Sequence, residues 1–188
     1  MNDKLFKDPE PLYQNKIENT VIPAIIIKKG SPELKYEIFA RLNLGATPLN
    51  QQELRNCLYR GSFNDMLEDI AANNPYLIKM ISSENKRKSF QEYILRFYAL
   101  RDYNNYKSSM VKTLNQYIID HQNDSPESLE EQKVLFANTI DIVKQVLGDS
   151  AFKQYDRKKN VYTDKFLVNV YDSIIIPFSL YDKHVLMK

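Results

Sequence analysis

The densest run of side chains capable of chemistry lies between Phe39 and Asn64. There Arg41, Asn43, Gly45, Gln52, Glu53, Arg55 and Asn56 crowd what reads as a helix–loop–helix junction. Guanidinium and carboxamide groups so placed could receive a phosphate or a carboxylate, because arginine meets either with a fork of donors. On a helical wheel Arg41 falls beside Leu34 and Ile38, at the edge of an apolar arc. An arginine there must be paired, since burying an unpaired charge is very costly. Its partner is either an internal carboxylate or a bound phosphate. Asn43 and Gly45 suit a tight or left-handed turn, which is reason enough for both without a ligand. Glu53 and Asn56 fall on the polar side of the next helix, with Arg60 near them, so solvation is expected. Glu53 also has a second task, as the fourth residue of the capping box that Asn50 opens.

A second constellation interleaves bases and aromatic rings. Lys86, Arg87 and Lys88 are followed by Tyr93, Arg96, Arg101, Tyr103, Tyr106 and Lys107. Such a pattern can track a nucleic-acid backbone while rings stack on bases. Against it, Phe90, Tyr93 and Phe97 share a core-facing stripe, and Glu92 with Arg96 is an ordinary i,i+4 pair. A third run, Arg157-Lys158-Lys159, is diluted by Asp156 and Asp164 and is expected to be solvated. His121 lies on the apolar side of its helix, where a satisfied core histidine is the plain expectation. Cys57, between Leu54 and Leu58, reads as a small core residue. His121 and His184 have no HxxxH or CxxC companions, so no metal site is expected. The four glycines, Gly30, Gly45, Gly61 and Gly148, stand alone, so neither a GxGxxG nor a Walker-A loop can be built.

These groups need elements to hold them. Composition is that of a globular chain: 43% apolar, 27% charged, 188 residues, with a net charge of +2. That balance gives no whole-molecule attraction to nucleic acid or membrane. The opening residues are charged, apolar runs fall far short of the ~20 residues a membrane span requires, and a cytoplasmic protein is expected. Residues 21–28, VIPAIIIK, are the best strand, at a sheet edge because Pro23 cannot donate. From Ser31 the period becomes helical. Ser31-Pro32-Glu33 starts a helix with Leu34, Ile38 and Leu42 on one side. Helices then follow from Asn50, from about Phe63, from Ser89 to Arg101, and through Tyr106, Met110, Leu114 and Tyr117. Ser125-Pro126-Glu127 opens a long helix that Gly148 stops, with Leu129, Phe136, Ile140, Val143 and Leu147 on one face. A last one begins near Thr163, and Pro177 bends or ends it. The expected fold is mainly α, a bundle of six or seven helices with one short N-terminal β-strand. Residues 1–30 form the loop-and-strand part and 31–188 the helical domain.

The string F-x-R-L-N-x-G-x-x-P-L-x-x-Q-E-L-R-N-x-L-Y-x-G-x-F, residues 39–63, resembles the second half of the GmrSD-type N-terminal domain. This is a bacterial family with a ParB/sulfiredoxin-like core and a DGQQR motif. The stretches 93–100 and 106–110 look like the same family's helical continuation, so the resemblance runs from about Leu12 onward. It implies a nucleotide-dependent restriction or anti-phage defence protein directed at modified DNA, using a nucleoside triphosphate with magnesium. It also implies that Arg41, Asn43, Gly45, Gln52, Glu53, Arg55 and Asn56 lie at or near the nucleotide pocket, or hinge the helical part to the core. The family's DGQQR motif has no counterpart in these residues, which contain no Asp-Gly pair, and nothing matches an HNH nuclease. The 21–28 strand would be a remnant of the ParB-like sheet. A helical half inactive alone is therefore expected, with the missing half, a partner protein, DNA or a second copy as partners. The competing expectation is a non-catalytic helical module that binds a protein or DNA.

Overall fold

The computed structural model describes residues 5–7, 9–24, 26, 29–43, 48–81 and 88–180. The chain divides into two compact units, residues 1–31 and residues 32–188. In the first, helix α1 (Pro11–Glu18) opens with a proline in its first turn and buries none of its residues. Of residues 21–28, Val21 to Ala24 and Ile26 are described, and none of them is in a strand. Val21 and Ile22 are 87% and 84% exposed. The expected strand is thus not found in its described residues. A β-branched run gains nothing from an extended backbone unless a neighbour pairs with it, and Pro23 removes one of its donors.

The second unit is mainly α. It runs α2 (Pro32–Leu42), α3 (Gln51–Leu58), α4 (Ser62–Asn73), α5 (Pro75–Ile81), α6 (Ser89–Leu100), α7 (Met110–Asp120) and α8 (Pro126–Leu147). A hairpin of β1 (Lys153–Asp156) and β2 (Val161–Phe166) follows, then α9 (Val168–Leu180). Caps explain several boundaries. Ser125 accepts from the Ser128 amide, Pro126 takes the first turn of α8, and Gly148 at φ +64° ends it. Asn74 accepts from the Leu77 amide and so restarts the chain as α5 after α4 stops.

Helix α6 is the axis of the core. Phe90, Ile94, Leu95, Phe97, Tyr98 and Ala99 are all buried, as are Gln91 and Arg96, so the helix is enclosed on nearly every side. It packs on α3, α4, α7 and α9. Phe97 meets Phe136 of α8 edge-on at 5.1 Å, and Phe63 of α4 meets Tyr98 at 5.8 Å. Each such ring contributes about 1.5–3 kcal/mol by leaving water. Gly61, just before α4, is dictated by close approach. A Cβ there would lie 2.1 Å from the Gln122 carbonyl oxygen.

Two local expectations are corrected. The α2 stripe does not face inward as a whole: Tyr36 is buried, while Leu34 and Leu42 are 44% and 69% exposed. The helix is rolled so that the larger ring of Tyr36 packs parallel to Tyr59, centroids 6.4 Å apart. The last helix begins at Val168 and not near Thr163, because residues 161–166 pair antiparallel with β1. Asn160 at φ +54° makes the reversal, and Tyr155 opposite Tyr162 supplies a cross-strand aromatic pair. Phe152 and Phe166 anchor the base of the hairpin against Tyr171, at 4.9 and 5.9 Å. Helix α9 continues through Pro177 to Leu180. Among the described residues no helix is long and apolar enough to cross a membrane.

Candidate functional site

The polar residues of α3 lie on a buried network rather than on a wetted face. Asn50 caps the helix, accepting from the Gln52 and Glu53 amides at 2.9 Å each, and the Glu53 carboxylate accepts from the Asn50 amide at 2.8 Å. One turn on, Arg55 is 1% exposed, among the largest fully buried side chains in the unit. Its Nε donates to Gln52 Oε1 at 2.9 Å, one terminal nitrogen to Glu92 at 2.6 Å, and the other to Asn115 at 3.4 Å. Gln52, also 1% exposed, donates to Asn56 at 2.9 Å, and Asn56 donates to Gln91 at 2.6 Å. Three side chains, one each from α3, α6 and α7, thus hold one guanidinium, and Asn56 and Gln91 extend the network from Gln52. Burial pulls the Arg55 pKa down and the Glu92 carboxylate opposes it. The group stays protonated, since arginine does not lose its proton in proteins.

Above the network lies a cleft of about 500 Å³ between α2 and α7, lined by Glu33, Tyr36, Glu37, Lys107, Lys112 and Asn115 among others. Tyr36 and Asn115 are common to the cleft and to the surroundings of Arg55. The Tyr36 hydroxyl is buried beside Asn115, its nearest polar neighbour, and meets the strict geometry of a hydrogen bond with none of the described residues. Burial raises its pKa, with the Arg55 charge opposing, so it is a neutral donor at physiological pH. The Gln91 Nε2 is likewise buried and has no partner among the described residues. Two acids on α2 face two lysines at the head of α7, so the rim carries both signs.

The sequence candidates divide sharply. Gln52, Arg55 and Asn56 come together, and Glu53 caps. Asn43 donates to the Leu49 carbonyl at 3.4 Å and so ties the ends of the loop to each other. Gly45 lies outside the described residues. Arg41 is neither buried nor held deeply: its side chain is 81% exposed and 3.9 Å from Glu37. Such a pair is worth about 0.3–0.5 kcal/mol. The roll of α2 that buries Tyr36 carries Arg41 outward. Asn56 and Glu53, expected on a solvated face, are half-buried: Asn56 is bonded to Gln52 and Gln91, and Glu53 to the Asn50 amide. Cys57, expected in the core, is exposed, because Leu54 and Arg55 take the inward positions.

The described members of the basic stretch, Lys88, Arg96 and Arg101, do not form a strip. Lys86 and Arg87 lie outside the described residues. Lys88 pairs with Glu68. Arg96 is buried and forks onto both oxygens of Asp172 on α9. Burial lowers its pKa, but the hydrogen bond and charge of Asp172 raise it further, so the net direction is upward. Arg101 donates to Ser179 at 3.1 Å with its guanidinium 5.8 Å from the Phe97 ring centre. Both arginines are fixed inward to α9 because α6 is buried all round. His121 sits at the end of α7, its Nδ1 2.8 Å from Asp124 and its ring stacked on Tyr117 at 4.2 Å. His184 lies outside the described residues. Gln91, Glu92, Asn115 and Tyr36 are the network members not singled out from sequence. Their signal was present: Gln91 stands i+3 and i+4 from Ile94 and Leu95, a polar residue in an apolar stripe.

The described residues alone do not fit a triphosphate. Arg55, the one motif cation near the cleft floor, is buried and bonded to three internal partners, and Arg41 is a single exposed charge. Among the described residues no three His, Cys, Asp or Glu side chains gather to hold a metal ion. No protein-family model matches the chain, and no curated protein or solved structure matches it.

Proposed function

We propose that this chain is the helical module of a GmrSD-like bacterial defence protein whose nucleotide chemistry is completed by a ParB-like, DGQQR-bearing half. The observation that supports this is the fate of the motif side chains. Gln52, Arg55 and Asn56 direct their polar groups into holding α3 against α6 and α7. The capping box and the Asn43–Leu49 bond fasten both ends of the intervening loop. A buried ion pair is seldom worth more stability than apolar packing. What it gives here is position: α3 is locked against α6 and α7, as the elements beneath a functional site require. In this scheme the loop faces the nucleotide, and the phosphate and magnesium ligands come from the other half. The modified-DNA-directed activity belongs to the completed protein, and this module acts as its rigid support.

The test compares this chain with an extended version in which a DGQQR-bearing ParB-like half precedes Met1. With ATP, GTP and magnesium, the 188-residue chain is expected to show neither calorimetric binding nor turnover, and the extended version both. Turnover by the chain alone, lost on substituting Arg55, would contradict the proposal. So would an extended version that folds and binds no nucleotide.

A further inference from the structure

We infer that the β1–β2 hairpin is a contact site for single-stranded nucleic acid, its tip gripping phosphates and Tyr162 receiving a base. The hairpin, residues 153–166, carries five cations against two carboxylates, an excess of three, whereas the whole chain has a net charge of only +2. The rest of the chain therefore carries about one negative charge net, so the chain's net positive excess lies on this ribbon. Both carboxylates are already engaged. Asp156 accepts from the Lys158 and Lys159 amides at 2.9 and 3.2 Å, which shapes the turn. Asp164 pairs with Lys153 at 3.3 Å. Arg157, Lys158, Lys159 and Lys165 are exposed and make no ion pair with any described residue. Elsewhere the basic side chains singled out from sequence are mostly neutralised: Lys88 by Glu68, Arg96 by Asp172 and Arg55 by Glu92.

An aromatic surface adjoins these charges. Tyr155 and Tyr162 oppose each other across the ribbon with ring centres 5.0 Å apart. A cross-strand pair of this kind stabilises a hairpin, yet Tyr162 remains 57% exposed and Val161 beside it 49%. The anchor explains how the surface stays rigid: Phe152 and Phe166 fix the ribbon's base in the core. Cations at a tip, with an open ring three residues behind the last of them, match a strand whose backbone passes the tip and whose unpaired base lies on the ring. A duplex offers the phosphates but hides the base faces. The inference goes beyond the proposed function and does not depend on a nucleotide site.

Fluorescence anisotropy with labelled oligodeoxythymidine tests it on the full 188-residue chain. Neutralising three phosphate contacts on a single strand gives a slope of about −2 in log K against log salt. Substituting Arg157→Gln, Lys158→Gln and Lys159→Gln together is expected to weaken binding at least tenfold at low salt and to flatten that slope. Tyr162→Ser is expected to weaken binding several-fold with the slope unchanged. All four positions are exposed, and circular dichroism melts report whether the variants fold. The inference is overturned by no binding to the oligonucleotide, or by unchanged affinity in the folded triple variant. It is also overturned by an inert Tyr162→Ser, by tighter binding to duplex, or by tighter binding to phosphatidylserine vesicles.

Discussion

Replacing Glu92 by alanine is expected to destabilise the folded chain by about 3–5 kcal/mol, the range for stripping one partner from a buried ion pair. Arg55 is 1% exposed, so its charge stays inside when the carboxylate goes. Gln52 and Asn115 still accept from it, which keeps the loss within that range. Domains of this kind are stable by only about 5–15 kcal/mol, so the variant loses a large fraction of its margin. A fall in the urea midpoint at unchanged slope is the expected readout. Glu92→Gln keeps an acceptor for the 2.6 Å contact and removes only the charge, so it is expected to fall between wild type and alanine. An unchanged midpoint in Glu92→Ala would mean that Arg55 finds solvent.

The second large effect is alkaline unfolding. Tyr36, Tyr59, Tyr76, Tyr98 and Tyr171 are all buried, and burial raises the pKa of each. Tyr59 is pushed up to about 12. In the unfolded chain a phenol titrates near about 10. A raised folded pKa means that the folded state keeps its proton while the unfolded state releases it. The stability these phenols support is therefore complete below about pH 10 and is lost as pH rises toward the folded values. Each phenol held protonated costs about 1.4 kcal/mol per pH unit above that point, and five together reach about 7 kcal/mol per unit as an upper bound. The chain is expected to unfold cooperatively between pH 10 and 12. Helical ellipticity should collapse in the same step in which tyrosinate absorbance appears. Smooth phenolate titration with ellipticity intact would show that these hydroxyls reach solvent in the folded state.

The long-range scheme of the helices was legible because caps and periodicity agree. Ser125-Pro126 and Gly148 bracket α8, and its stripe buries Phe136, Ile140 and Val143 as the spacing predicts. Helix α2 was misread in detail. Its apolar residues define two overlapping arcs, and only the packing of Tyr36 on Tyr59 decides which one turns inward. The hairpin was hidden because Lys153-Gln-Tyr-Asp and Val161-Tyr-Thr-Asp-Lys-Phe are mostly polar at the surface, so neither looks like a strand until the two pair. The candidate site was half legible. The residue types of α3 announced something unusual, but a helical wheel places Arg41 on the apolar edge and Asn56 on the wet side. Arg41 turns outward with the roll of α2 onto Tyr59, whereas Asn56 is drawn in by Gln91, 35 residues away, beside Arg55 held by Glu92 and Asn115. Nothing local to α3 encodes that contact.

The docking of α3 onto α6 through Arg55 and Glu92 is the structural claim on which the rest stands, and a double-mutant cycle in urea tests it most directly. Arg55→Leu, Glu92→Leu and the pair are compared with wild type. Glu92→Leu strands a buried cation and should be the least stable. The double variant should recover part of that loss, because no charge is left inside. A coupling energy of about 1–3 kcal/mol is the expected result for two groups in contact. Strict additivity, with the double variant losing the full sum of the single losses, would show that the two side chains do not meet and would contradict the account.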